Sequence, residues 1–128
     1  KLKHLDAWNQ RRHEIASLYL KELSGLELLL PQPPAQNTTH AWHLFVVRTP
    51  QREAFASFLK ERGVQTLIHY PIAPHLQEAY RPLGFGPGDF PIAAAIHREV
   101  LSLPIGPHLH QDQVHHVLDS VHAFFQKS

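Results

Sequence analysis

The sequence predicts an α+β domain, a small, mainly antiparallel sheet flanked by helices, and three observations carry that prediction. Residues 111–126 place Val114, Val117, Leu118, Val121, Phe124 and Phe125 on one helical stripe. Two runs, Ala41–Arg48 and Val64–Tyr70, are aromatic and β-branched and read as strands. The order helix, strand, strand, helix, strand, helices lacks the regular βα alternation of a parallel sheet.

Each element has a local cause. Residues 1–24 read as a helix. Leu2, Leu5, Trp8, Ile15, Tyr19 and Leu23 recur at three- and four-residue steps, and Gly25 supplies the stop. Leu26–Leu30 is a short apolar run expected to form a strand, and the prolines at 31, 33 and 34 open a loop. Ala41–Arg48 is expected as a central strand. Thr49 is placed as the N-cap of the next helix with Pro50 at its first position, Phe55, Phe58 and Leu59 as its apolar stripe and Gly63 as its end. Val64–Tyr70 reads as a buried strand closed by Pro71. Residues 75–82 read as a short helix, Gly84–Gly88 as a loop and Pro91–Val100 as a helix. Leu101–Pro104 is long enough only for an edge strand or a link. In the last helix Asp112 and Lys127 suit the dipole at opposite ends.

Composition narrows the function. The 128 residues fit one domain, and 43% hydrophobic against 18% charged residues is the balance of a folded chain. A formal net charge of +1 supplies no bulk attraction to nucleic acid or to an anionic membrane, and no apolar run approaches the roughly 20 residues of a membrane span. The absence of cysteine excludes disulfides, thiolate metal sites and a cysteine nucleophile. With no methionine even at position 1, the chain is expected to be a piece of a longer protein.

Twelve histidines raise the question of a metal site. None forms an i, i+4 pair on a helix, and His115, His116 and His122 fall on different sides of one helix, so no metal site is assigned. Ser102 lies in Leu-Ser-Leu-Pro without a glycine elbow, which disfavours a serine nucleophile. Gly84–Gly88 is interrupted by Pro87 and follows no strand, so it reads as a turn and not as a phosphate loop. His69 and Tyr70 remain: a proton-capable imidazole and phenol at the end of an apolar run. The plain reading is a strand-end pair satisfied by local hydrogen bonds. The functional reading is the edge of a site that orients a polar ligand.

The words Leu5-Asp6-Ala7-Trp8-Asn9-Gln10-Arg11-Arg12, Trp42–Arg48, Gly63-Val64-Gln65-Thr66, His69-Tyr70-Pro71, Pro74-His75-Leu76-Gln77, Gly88-Asp89-Phe90-Pro91 and Val100–Pro104 stand in an order and spacing that resemble one family. It is the C-terminal small domain of the DegT/DnrJ/EryC1/StrS sugar aminotransferases, pyridoxal-phosphate enzymes of the aspartate-aminotransferase fold type. Ile68–His75 with Ile105–His108 is most similar to the branch acting on dTDP-3-keto-6-deoxyhexoses.

The resemblance implies a connecting helix over 1–24 and a small domain over 26–128, with the large pyridoxal-phosphate domain outside the chain. It also implies a nucleotide-linked keto sugar as acceptor, an amino donor such as glutamate, a homodimer and a cytoplasmic location. It places His69 and Tyr70, and more weakly His75, beside substrate or cofactor. Lys1, Lys3, Lys21, Lys60 and Lys127 all lack the serine- and glycine-rich context of the family's Schiff-base lysine, so the isolated chain is expected to be inactive. A free-standing binding module of the same fold and a histidine-rich metal binder are the competing readings. Apolar surface is expected to stay exposed on the first helix.

Overall fold

The computed structural model describes residues 2–126; Lys1, and Lys127 with its expected dipole role, lie outside them. A 3-10 turn at Leu2–His4 leads into α1 (Leu5–Glu22), followed in chain order by β1 (Phe45–Arg48), α2 (Arg52–Glu61), α3 (Pro91–Glu99), β2 (Val100–Leu103) and α4 (Gln111–Phe125). Two 3-10 turns, Pro74–Leu76 and Glu78–Leu83, take the place of the expected 75–82 helix: Gln77 is extended between them, and Pro82 has no N–H to give a helical bond. Gly25 and Gly63 follow α1 and α2 at φ +86° and +79°, left-handed turns that cost a side-chain-bearing residue and cost glycine nothing.

β1 and β2 pair antiparallel, with Phe45 opposite Leu103 and Val46 opposite Ser102. Single antiparallel bridges extend this ladder on both sides, Leu29 to Arg48 and Leu67 to Ser102. Three sequence expectations change here. Val64–Tyr70 is not a buried strand: after the Leu67 bridge the chain turns away, and Leu67 is 64% and Tyr70 66% exposed because nothing covers that flank. Leu26–Leu30 likewise contributes one bridge only. Leu101–Pro104, expected at an edge, belongs to the innermost strand, and all four β2 residues are buried. An apolar run covered on both faces needs no alternation, so its shortness was the misleading signal.

β1 is also shorter than the 41–48 run. Trp42 adopts φ +51°, its N–H donates to His40 Nδ1 at 2.8 Å and its ring stacks on that imidazole, which ends extended structure before Phe45. α2 starts at Arg52, two residues past Pro50, although Thr49 Oγ1 still accepts from the Gln51 N–H at 3.1 Å.

The helices converge on one core. Ile15, Ala16, Tyr19 and Leu23 of the first helix, Phe55 and Leu59 of α2, and Val114, Val117, Leu118 and Val121 of α4 bury against Phe45, Val47, Leu101 and Leu103. Phe55 meets Phe124 and Phe125 at 5.0 Å each, and such aromatic pairs add about 0.5–1.5 kcal/mol beyond area burial. The N-terminal half of α1 stays outside the core, with Leu5 42% and Trp8 36% exposed.

Polar ties fix the helices in register. Arg62 Nε donates to Ser120 Oγ, Ser120 Oγ donates to the His116 carbonyl, and His116 Nε2 donates to the Arg62 carbonyl, closing a circuit between the end of α2 and the middle of α4. Tyr19 Oη donates to the Pro104 carbonyl at 2.6 Å, and Arg11 Nη2 to the Leu109 carbonyl at 2.8 Å. The Arg48–Glu99 ion pair at 2.8 Å is about a third exposed and contributes at most about 1 kcal/mol.

Burial pushes the Tyr19 phenol well above its usual value. The folded state therefore holds this proton more tightly than the unfolded chain does. Its stabilisation is full below pH ~10, and above that stability falls by about 1.4 kcal/mol per pH unit from this residue. In urea unfolding between pH 9 and 11, Tyr19→Phe is expected to be less stable than wild type by about 0.5–2 kcal/mol at the lower end, with the gap closing as pH rises. A gap that widens with pH contradicts the assignment.

Candidate functional site

The segment from Gln65 to Ala93 leaves the core almost at once. Ala73 is its one buried residue, so side-chain packing does little to hold it. Specific bonds do that work. Ser102, buried at 5% exposure on β2, makes three of them: its N–H donates to the Leu67 carbonyl at 2.7 Å, its carbonyl accepts from the Leu67 N–H at 3.3 Å, and its Oγ lies 2.9 Å from His69 Nδ1. The His69–Tyr70 peptide is cis. His97 Nδ1 donates to the Tyr70 carbonyl, a bond that ties the loop to α3. Gln77 Nε2 closes the loop on itself by donating to the Ile72 carbonyl at 3.2 Å.

His69 and Tyr70, predicted together, stand together, with their rings edge to face at 5.8 Å. The imidazole is half-buried and anchored by Nδ1. Its Nε2 reaches solvent and bonds to no described residue. The Tyr70 ring projects outward, and the pair can present one ring nitrogen and one phenol to a polar ligand.

His75 is placed differently. It packs edge to face on Phe90 at 4.9 Å, and its Nε2 is buried without a hydrogen-bond partner. Phe85 extends this small aromatic group at 5.2 Å from Phe90. A groove of about 780 Å³ runs beside the same segment, lined by Lys60, Gln65, Thr66, Leu67, Ile68 and Leu101 among others. Among the described residues, no group of three or more His, Cys, Asp or Glu side chains is arranged to hold a metal ion.

Sequence reasoning missed Ser102 and His97 as neighbours of this loop. The signal for Ser102 was present, since one hydroxyl inside Val-Leu-Ser-Leu must find a partner once the strand is buried. His97 gave no such signal, because its bond depends on how α3 folds back across the loop.

A family model described as the DegT/DnrJ/EryC1/StrS aminotransferase family matches residues 1–122. The erythromycin biosynthesis sensory transduction protein EryC1 of Saccharopolyspora erythraea is 48% identical over 126 residues, covering 96% of this chain and 34% of that protein. The dTDP-3-amino-3,6-dideoxy-alpha-D-galactopyranose transaminase of Aneurinibacillus thermoaerophilus is 46% identical, covering 97% of this chain and 33% of that protein. The solved structure of Streptomyces venezuelae DesV superposes with a TM-score of 0.94 at 44% identity, over 99% of this chain and 34% of DesV. The chain thus spans about a third of the length of the relatives it matches.

With so little burial in the loop, the His97 clip should govern its mobility. Hydrogen exchange on His97→Ala is expected to show faster exchange across residues 69–77 with α4 unchanged, and a loss of global stability below about 1.5 kcal/mol. Unaltered exchange in the loop refutes that role.

Proposed function

Because the chain belongs to the DegT/DnrJ/EryC1/StrS aminotransferase family, we propose that it is the small domain of a pyridoxal-phosphate-dependent enzyme that transfers an amino group to a nucleotide-linked keto-deoxysugar. The supporting observation is the agreement of sequence and backbone, over nearly the whole chain, with transaminases named for dTDP-3-amino sugars. The product class is a 3-amino-3,6-dideoxyhexose, and glutamate is the expected amino donor. In this reading residues 1–24 connect to a cofactor-binding large domain outside the chain, 26–128 form the small domain, and the enzyme works as a homodimer in the cytoplasm. No helix among the described residues is long and apolar enough to cross a membrane.

The residues present do not themselves fit pyridoxal phosphate. Lys3, Lys21 and Lys60 stand on exposed helical positions, whereas a Schiff-base lysine works desolvated. No bond-making step is therefore assigned to this chain. Its part is to bind and orient: His69 Nε2 and Tyr70 Oη face an oxygen of the sugar or its phosphates, and His75 stiffens the loop against Phe90. The exposed Leu5 and Trp8 of α1 belong to the face turned toward the large domain.

In the full-length enzyme, His69→Ala and Tyr70→Phe are each expected to lower kcat/KM for the keto sugar by about 5- to 100-fold, the range of one lost ligand hydrogen bond. Cofactor absorbance should be unchanged. Wild-type kinetics in both variants would remove this pair from the site. The free chain should neither take up pyridoxal phosphate nor aminate a keto sugar, and activity of the purified chain would overturn the division of labour.

A further inference from the structure

We infer that Ser102 is a positioning residue whose hydroxyl donates to His69 Nδ1, so that His69 presents Nε2–H to its ligand as a hydrogen-bond donor rather than a lone pair acting as a base. The inference rests on the proposed reading of His69 as ligand-facing, and it adds the chemistry of that contact: the group opposite is an acceptor oxygen of the sugar nucleotide, a hydroxyl, carbonyl or phosphate oxygen.

Ser102 is only 5% exposed, its side chain points to the strand face opposite Leu101 and Leu103, and its backbone N–H and carbonyl are taken by Leu67. His69 Nδ1 is its one hydrogen-bond partner among the described residues. A hydroxyl carries one proton, and a buried proton without an acceptor loses its bond to water and gains nothing in return.

Two arrangements of the 2.9 Å contact are open. If Nδ1–H donates to Oγ, the proton of this buried serine is left with no acceptor among the described residues. If Oγ–H donates to Nδ1, that single bond satisfies the hydroxyl, and the imidazole proton must sit on Nε2. The second arrangement leaves no buried donor unpaired. It also aims the free N–H at solvent, because Nε2 is neither sealed nor bonded. The two backbone bonds from Ser102 to Leu67 hold the segment two residues upstream, so the imidazole is fixed in place as well as in tautomer.

The neighbouring groups agree with this polarity. Tyr70 is the other polar tip on the exposed side, and its carbonyl is already engaged by His97. A phenol can donate as well, so the pair forms two donors side by side, matched to the oxygen-rich surface of a sugar nucleotide.

The test reads the imidazole directly. In the 15N-labelled chain at alkaline pH, two-dimensional 15N–1H spectra of His69 are expected to show the proton on Nε2. The Nδ1 resonance should be displaced from that of a free acceptor nitrogen. Ser102→Ala should move Nδ1 to the free-acceptor position, and Ser102→Thr, which keeps the hydroxyl, should restore the wild-type signal. A proton on Nδ1, or an Nδ1 resonance indifferent to Ser102→Ala, overturns the inference. Should Ser102→Ala fail to fold, the wild-type proton position and the Ser102→Thr spectrum decide it.

In the full-length enzyme Ser102→Ala should raise KM for the keto sugar by about 3- to 10-fold with kcat changed less, since a donor to bound substrate contributes in ground and transition states alike. Equal kinetics for His69→Ala and wild type, with the Nε2–H tautomer intact, would instead refute the placement of His69 at the ligand while leaving the Ser102 bond standing.

Discussion

Strand β2 has protein on both faces and a bonded neighbour on both edges, and each condition forces something else in the chain. Burial of Leu101 and Leu103 demands apolar cover, and the stripes of α1, α2 and α4 meet that demand. The edge facing β1 is closed by a full antiparallel ladder. The other edge is closed only at Ser102, by Leu67, and the residues just past Leu67 include His69 and Tyr70. The candidate site therefore hangs from the edge of the innermost strand, two residues past its bridge.

The polar ties obey the same logic. Helices packed through apolar stripes can slide or rotate at small cost, because dispersion and burial are weakly directional. Hydrogen bonds set the register. The Arg62–Ser120–His116 circuit locks α2 to α4, and Tyr19 and Arg11 lock α1 to the chain leaving β2. Three histidines, at 69, 97 and 116, thus spend one ring nitrogen each on holding structure together.

Several local signals in the sequence stand where expected, whereas the pairings that span long stretches of sequence do not. The stops at Gly25 and Gly63, the stripe of α4 and the helix after Pro91 depend on neighbours within a few residues, and they stand where expected. The Val64–Tyr70 run failed as a strand because β character needs a partner along its whole length, and β2 offers it one residue. Leu101–Pro104 was undervalued for the opposite reason: its partners lie more than fifty residues away at Phe45–Arg48. His69 and Tyr70 were visible as polar residues ending an apolar run. Their supports were not, since the Ser102 and His97 bonds span 33 and 27 residues of sequence.

These observations separate stability from placement. α1, α2, α4 and β2 carry most of the buried apolar side chains, whereas residues 65–93 carry one, Ala73. A segment with so little burial sits at the low end of local stability, and its conformation is decided by a few directional bonds rather than by packing. A substitution in the core therefore changes how much protein is folded. The Ser102 Oγ and His97 Nδ1 bonds instead bear on where His69 and Tyr70 point. The clips set the conformation of the loop without any compromise in the packing of the core beneath it.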